Sequence, residues 1–386
     1  MSDRDAVIVD SVRTPVGKRG GALSGHHAVD LSAHVLSALA ERSGLDPAQV
    51  DDIVWGCVHQ VGQQSGNIGR LAVLAAGWPE SVPATTVDRQ CGSSQQSIHF
   101  AAAGLISGQY DVVVAGGVEI MSAVPIGATS VYPEFGQQGG PKVAERYGVA
   151  FNQGTGAELI AEKWGFSRTE LDEFSARSHE KLAAATDSGV FTSQITEVPL
   201  ADGSTLTIDE GLRRGTTAER LAGLRAAFKE GGVVHAGNSS QVSDGAAAVL
   251  MMTSERAREL GLRPVARIHT AVLAGDDPVL MLTAPIPATA KALAKSGLSL
   301  NDIGVYEVNE AFAPVPLAWL HETGADSARL NPNGGAIAMG HPLGASGARI
   351  MTTLVNHMRS RSVRYGLQTM CEGGGMANCT IVELLG

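Results

Sequence analysis

The chain has 386 residues, 44 % hydrophobic and 18 % charged, with 39 acidic against 29 basic side chains and a net charge of −10. That balance belongs to a folded globular protein with room for two cores, not to a disordered chain. The acidic surplus argues against broad nucleic-acid binding, which needs positive charge along the phosphates, but leaves room for a small anionic ligand at a local basic patch.

The opening stretch MSDRDAVIVDSVRTP carries acidic residues and no long apolar run, and no segment approaches the roughly 18 apolar residues of a membrane span. The expectation is a soluble protein of a reducing compartment, the cytoplasm, without a membrane partner. Four cysteines, Cys57, Cys91, Cys371 and Cys379, form no CxxC pair and no dense disulfide pattern, and their spacing carries no zinc signature.

Taken in order, residues 6–15 predict a strand running into a loop, 28–44 a helix, 50–58 a strand and 67–77 a helix. TTVDRQC then leads to Cys91, followed by a helix over 97–108 and a buried strand over 110–119. This alternation points to an α/β core. From about 120 to 239 the texture changes: 125–141 has little regular pattern, 171–189 is helical, and 212–228 is basic. Strand-like VARIHTAVL (265–273) restarts the first pattern, with a helix in IPATAKALAKSGL and a strand over 303–312. A further helix, NPNGG, a helix over 344–360 and two closing strand segments complete it. RSGLDPAQV (42–50) and KSGLSLNDI (295–303) share a turn after a helix, and YDVVVAGG is matched by YGLQTMCEGG. Two related α/β halves follow, with the middle region as an excursion from the first.

VDRQCGSSQQS (87–97) sets Cys91 between a strand end and a run of small residues opening a helix. A thiol there would meet free backbone N–H groups and a helix dipole, both favouring thiolate; the alternative is a buried cap-region cysteine. The second half adds Asn309 and Glu310 just beyond a strand, where a loop can present them to solvent. It also adds His341 in a Gly-His-Pro turn, and Cys371 ahead of three glycines. Two thiols, a histidine and glycine-rich backbone suit acyl transfer: one thiolate takes an acyl group, the histidine takes its proton, and backbone donors hold the oxyanion. A second thiol could move a proton to or from carbon, which hydrolysis does not require.

RQCGSSQQS, AGNSSQVSDGAAA (236–248), NEAFA (309–313), GGAIAMGHPLGASGAR and CEGGG, in that order, resemble the thiolase family of acetyl-CoA acetyltransferases and 3-ketoacyl-CoA thiolases. The resemblance runs from VDSVRTPVGKRGG to CTIVELLG. It implies a thiolase-like α/β fold of two related halves in layered helices and sheets, with an inserted loop domain. The first domain would span 1–265, including a loop excursion at 119–239, and the second 266–386. It implies Cys91 as the acylated nucleophile and His341 as its activator, sharing an oxyanion hole with a water held by Asn309. Cys371 would be the acid/base at carbon, and the backbone N–H groups of Cys91 and Gly373 the second oxyanion hole. Arg213 matches a contact to the adenosine end of coenzyme A and Ser240 a contact to its pantetheine arm. Coenzyme A, acetyl-CoA and acyl-CoA would be substrates, with no cofactor or metal, in a homodimer or homotetramer. Arg214 and Arg220 could equally belong to a solvated basic helix face.

Three departures from the family pattern stand out. Asp88 replaces the usual Asn and Ser94 a frequent Gly; Asn152 and Gln153 stand where short-chain enzymes carry His and Met beside the acyl pocket. A pocket not shaped for acetoacetyl-CoA follows, as in thiolases of bulky, including steroid-derived, acyl-CoAs. Thiolytic cleavage in fatty acid or steroid degradation is the leading expectation; biosynthetic acetoacetyl-CoA formation and non-catalytic acyl-CoA binding are the alternatives.

Overall fold

The structure is a computed structural model that describes residues 2–131, 134, 136 and 138–386. Its first half comprises β1 (Ala6–Arg13), β2 (Gly17–Lys18), α1 (Ala28–Ser43), β3 (Asp52–Gly56), α2 (Ile68–Ala75), β4 (Ala84–Val87), α3 (Ser93–Ser107) and β5 (Val112–Ile120). A middle segment carries α4 (Gly140–Tyr147), α5 (Gln153–Trp164), α6 (Arg168–Asp187), β6 (Val198–Pro199), β7 (Thr205–Leu206) and α7 (Ala218–Ala222). β8 (Ser243–Thr253) and α8 (Ser254–Glu259) then return the chain to the first half. The second half runs β9 (Ala266–Gly275), α9 (Pro285–Ser296), β10 (Val305–Val308), α10 (Pro314–Thr323), α11 (Ala336–Met339), α12 (Ser346–Arg361), β11 (Tyr365–Glu372) and β12 (Met376–Leu384).

The shared S-G-L turns have a common structural cause. α1 and α9 each end on a left-handed glycine, Gly44 and Gly297, and each is followed by a short 3-10 turn into a strand. The strands line up as β10-β11-β12-β9-β1-β8-β5-β3-β4. Each half pairs its strands by the same rule, parallel in β5–β3 and β10–β11 and antiparallel in β5–β8 and β11–β12. The halves meet where Val7 pairs with Arg267 and Ile8 with Ala266.

Three large apolar clusters make the layers. One lies under α1 and α2, one under α9 and α10, and the third, around Ile98, Leu105, Met351 and Leu354, buries α3 and α12 between the sheet faces. Helices α3 and α12, the innermost pair, bring the nucleophile region of one half against the Gly-His-Pro region of the other. Serine 94 joins them: its Oγ accepts the Ala348 N–H at 3.0 Å, in the first turn of α12.

Two elements depart from the sequence pattern. α3 begins at Ser93 rather than 97, because GSSQQ packs its polar side chains into the interior, where apolar periodicity gives no sign of a helix. β8, SDGAAAVLMMT, is not announced by alternation: buried at every position between β1 and β5, it presents small residues to both faces. Among the described residues no helix is long and apolar enough to cross a membrane. Tyr132, Pro133, Phe135 and Gln137 of the 125–141 stretch, read as irregular, lie outside the described residues.

Candidate active site

Cys91 sits in a locked turn between β4 and α3. Gln90 takes a left-handed backbone (φ 50°), and its N–H donates to Asp88 Oδ1 at 2.7 Å. Ser93 Oγ donates to the Gln90 carbonyl at 2.6 Å and accepts the Arg89 N–H at 3.0 Å. Both short side chains stabilise a turn that the backbone alone disfavours. Gly92 caps α3, so Cys91 lies immediately outside the helix.

The thiol is buried against Ile350, Met370 and Leu343. Burial pushes it up to about 12, the charges of Glu372 and Glu119 push the same way, and the Gln153 side chain and its own backbone N–H oppose them. The sequence left two readings open at this junction, a thiol helped towards thiolate or a buried cap-region cysteine, and burial outweighs the helix dipole. A helix N-terminus is worth about 0.3–1 kcal/mol, whereas full burial moves a pKa by up to about 3–5 units. Gln153, the first residue of α5, aims Nε2 at Cys91 Sγ from 3.9 Å.

Cys371 pairs with Ala377 one residue before the end of β11 and is equally buried. Burial raises its thiol well above the usual range, Cys91 and Glu372 add to this, and the Asn309 side chain offsets part of it. Cys91 is thus close enough to act on the ionisation of Cys371, and the two thiols come from opposite halves.

Asn309 and Glu310 are buried, not presented to solvent as their loop position suggested. Glu310 turns inward to accept Ser178 Oγ (2.6 Å), Asn331 Nδ2 (2.9 Å) and the Ile337 N–H (3.3 Å), which ties the NEAF and NPNGG turns together. Asn309 points the other way, and its Nδ2 reaches His341 Nε2 at 3.3 Å. His341 Nδ1 meets Ser346 Oγ at 2.6 Å, and that hydroxyl donates to the Pro342 carbonyl at 2.8 Å. Since the serine's one proton is committed, Nδ1 carries the imidazole proton and Nε2 keeps a lone pair. Burial, helped by the Arg349 charge, pushes His341 down to about 3, so the ring is neutral.

Three further residues hold this geometry, and two of them, Gln241 and Glu119, escaped the sequence reading. Gln241 accepts the His341 N–H through its carbonyl at 3.1 Å, while its Nε2 donates to the Gly211, Ile337 and Ala338 carbonyls. Gly340, at φ 114°, lets the chain turn into His341 where a Cβ would lie 2.2 Å from Ser243 Oγ. Glu119, at the end of β5, accepts the N–H groups of Val58, His59 and Gly344, binding the loop after His341 to the first sheet. Gln241 lay within the quoted AGNSSQVSDG stretch; a lone acid ending an apolar strand was the only signal for Glu119.

Gly373, two residues after Cys371, lies beside this group: a Cβ there would lie 3.0 Å from Gln90 Oε1 and 3.5 Å from Gln153 Nε2. Among the described residues the backbone N–H groups of Cys91 and Gly373 make no hydrogen bond within the protein. Ser240 is half-buried and its N–H donates to the Ala311 carbonyl at 2.8 Å, placing it on the NEAFA loop. Phe228 packs edge-on against Phe312 at 5.8 Å and fills the space beside Gly154, so α5 and the end of the basic stretch converge on the same loop. Arg213 is exposed and lies farther out, on the turn that reaches His179. Its guanidinium makes no hydrogen bond or ion pair among the described residues, unlike Arg214, which is tied to Asp187, and Arg220, tied to the Gly215 carbonyl. Arg214 lies in a turn rather than on a basic helix face; Arg220 is on α7. Among the described residues no group of three or more His, Cys, Asp or Glu could hold a metal.

Residues 6–255 match the thiolase N-terminal domain and residues 262–384 the thiolase C-terminal domain. The chain is 52 % identical over 387 residues to the steroid 3-ketoacyl-CoA thiolase FadA6 of Mycobacterium tuberculosis, covering 99 % of this chain and 94 % of that protein. It is 47 % identical over 390 residues to a 3-ketoacyl-CoA thiolase of Escherichia coli, covering 98 % of each. The crystal structure of the Bacillus anthracis acetyl-CoA acetyltransferase superposes with a TM-score of 0.92 at 37 % identity, over 99 % of both chains. With matches spanning both halves, and two thiols, an asparagine and a neutral histidine gathered where those halves meet, the chain belongs to the thiolase family.

Proposed function

We propose that this chain cleaves 3-ketoacyl-CoA thiolytically, as an acetyl-CoA C-acyltransferase of a degradative route. The observation that carries the reading is the pair of neighbouring buried thiols, Cys91 and Cys371, of which the first raises the second. Acyl transfer to water needs one thiol; breaking a carbon–carbon bond also needs an acid at carbon.

Cys91 Sγ attacks the C3 carbonyl and gives its proton to His341 Nε2, the lone pair left free by the Ser346 contact. Once protonated, Nε2 becomes a donor beside Asn309, and the pair stabilises the enolate formed as the C2–C3 bond breaks. Cys371 protonates C2, releasing acetyl-CoA, then takes the thiol proton of incoming coenzyme A. The coenzyme A thiolate attacks the Cys91 thioester, the shortened acyl-CoA leaves, and His341 returns the proton to Cys91. The N–H groups of Cys91 and Gly373 hold the thioester oxygen during both acyl transfers. Unpaired Arg213 supplies positive charge for the adenosine phosphates, and Ser240 contacts the pantetheine arm.

The names of the Mycobacterium tuberculosis and Escherichia coli relatives support cleavage over acetoacetyl-CoA synthesis. Gln153 beside the nucleophile supports an acyl group larger than acetyl. Residues 1–265 and 266–386 form the two domains, with 119–239 covering coenzyme A. The free edge of β4, flanked by exposed Leu71 and Leu74, supports a homodimer.

Brief exposure to 3-ketoacyl-CoA should leave an acyl mass on the peptide holding Cys91. Cys91→Ala should abolish it together with turnover. Cys371→Ala should still accept an acyl group from simple acyl-CoA but lose deuterium exchange at the acetyl methyl, by about 10²–10⁴-fold. Full turnover in Cys91→Ala would overturn the scheme, and a strong preference for acetoacetyl-CoA across a substrate panel would overturn the pocket reading.

A further inference from the structure

We propose that Asp172 is a positioning residue for the coenzyme A ester. Through His235 and Asn238 it holds the turn that carries Ser240, and through Arg168 it holds the part of the basic stretch that packs on that turn. The ligand comes from the proposed function; the geometry stands without it. Asp172 lies in α6 and His235 just before AGNSS (236–240). Both are buried, and neither takes part in the proton transfers of Cys91, His341 and Cys371.

Backbone groups fix the roles of the side chains around this carboxylate. The Gly237 N–H donates to His235 Nδ1 at 3.0 Å, so the ring carries its proton on Nε2 and donates it to Asp172 Oδ1 at 2.7 Å. Asn238 Oδ1 accepts the His235 N–H at 2.8 Å. That turns its Nδ2 to two acceptors, Asp172 Oδ1 and the Val233 carbonyl, both at 3.0 Å. Ser239 Oγ and the Asn238 N–H close the turn by donating to the His235 carbonyl at 2.8 and 3.1 Å. The Asn238 carbonyl in turn accepts the Ala313 N–H at 2.9 Å, which together with the Ser240–Ala311 bond lays the turn along the NEAFA loop.

Asp172 Oδ2 carries the second arm. It accepts Arg168 Nε at 3.2 Å, from one helical turn back on α6. Arg168 Nη2 donates to the Leu221 and Leu224 carbonyls at 3.0 and 2.6 Å and so ties down the end of α7. The side chains of the same two leucines return to the turn: a Cβ on Gly237 would lie 2.6 Å from Leu221 Cδ2 and 2.7 Å from Leu224 Cδ1. Both arms therefore meet at Gly237, where no larger residue fits. One buried carboxylate thus sets the basic stretch, which begins beside Arg213, against the turn that ends in Ser240. These are the two sides assigned to the adenosine and pantetheine ends of coenzyme A. Hydrogen bonds to a buried ionised group are stronger than neutral ones, so the loss of this hub costs more than that of any single turn contact.

The test uses Asp172→Asn, whose amide can accept on one side only, and Arg168→Met, which removes the second arm and leaves the first. Calorimetric titration with coenzyme A should show affinity lowered by about tenfold in Asp172→Asn and by about threefold in Arg168→Met. Two reactions of Cys91 that need neither end of coenzyme A serve as the contrast, both read by peptide mass: labelling by iodoacetamide and acetylation by the N-acetylcysteamine thioester of acetate. Each should stay within about twofold of wild type in both variants. Wild-type affinity for coenzyme A in the variants would overturn the proposal. So would losses in the two contrast reactions as large as the loss in affinity, because a general loosening of the fold lowers all three. Hydrogen exchange reads the ties without ligand. Peptides over 219–226 and 233–240 should exchange faster in Asp172→Asn, and only the former in Arg168→Met, with β8 unchanged in each; unaltered exchange in both segments would also overturn the proposal. If Asp172→Asn does not fold, Arg168→Met decides by the same titration. A wild type that binds coenzyme A, with these losses in the variants, but cleaves no 3-ketoacyl-CoA would count against the proposed function and leave Asp172 standing.

Discussion

Gln153 and Glu372 act on the same sulfur in opposite senses, one by offering an N–H, the other by threatening it with charge. The N–H···S contact at 3.9 Å is long, worth no more than about 0.5–1 kcal/mol, so Gln153→Met should slow Cys91 labelling by about 2–5-fold at fixed pH. A Met variant labelled as fast as wild type would show that Gln153 only shapes the pocket. Glu372 also carries a stability consequence whose sign is opposite to that of an ordinary paired carboxylate. Its folded-state value of about 8 lies above the usual 4.5, so folding favours the protonated form. That contribution is fully present below about pH 4.5 and is lost as pH rises through about 8. Because Glu372→Gln stays neutral throughout, its Tm should gain on wild type as pH climbs across this window, by up to a few kcal/mol in stability. A constant gap between the two melting curves would contradict that shift.

The contact between α3 and α12 gives Ser94, a departure from the family pattern, a definite job. Its hydroxyl accepts the Ala348 N–H, which in the first turn of α12 has no acceptor within its own helix. Ser94→Ala should therefore cost about 1–2 kcal/mol, read as a lowered denaturant midpoint, with labelling of Cys91 little changed. A shift below about 0.3 kcal/mol would mean that the N–H finds another acceptor. The same contact shows what a sequence does and does not reveal. The repeat of α1–β3 in α9–β10 was legible because its signals are local: a helix stripe, a left-handed glycine, a β-branched strand. The start of α3 and the whole of β8 were not, since both bury polar or small residues on every side and periodicity needs one face in water. Cys91, Asn309, His341 and Cys371 could be picked out by chemistry and by resemblance. The polarity of their surroundings could not: of the two readings open for Cys91, a thiol helped towards thiolate or a buried cap-region cysteine, it is burial that prevails and pushes the thiol up. Glu119 reaches the Gly344 N–H from 225 positions away in sequence, and only the fold brings it and Gln241 to the histidine turn.

Over the whole molecule, the middle segment must hold its position on a core that is otherwise built from the two halves. One buried tie is Arg13, at the end of β1, whose guanidinium grips Asp209 with two bonds of 2.7 and 3.0 Å. Asp209 Oδ1 also accepts the Val16 N–H at 2.8 Å, and Arg13 stacks over the Phe191 ring at 5.2 Å. Two residues on, the Gly211 carbonyl receives Gln241 Nε2, and the Gln241 carbonyl in turn receives the His341 N–H. A tie that orders the middle segment thus leads by covalent steps and two hydrogen bonds to the catalytic imidazole. Asp209→Ala leaves a buried guanidinium uncompensated and should cost about 3–5 kcal/mol. If the tie also positions His341, kcat should fall while labelling of Cys91 by iodoacetamide, which needs no acyl pocket, persists in the folded fraction. The double variant Arg13→Met with Asp209→Leu removes both charges and should recover much of the stability, since an apolar replacement of a buried pair is often near neutral. It should not recover kcat in full, because the Val16 N–H contact that sets the approach to Gly211 stays broken. Denaturant midpoints of the three proteins, with kcat measured on folded samples, separate the two effects. Equal stability of Asp209→Ala and wild type would show that the middle segment is anchored elsewhere.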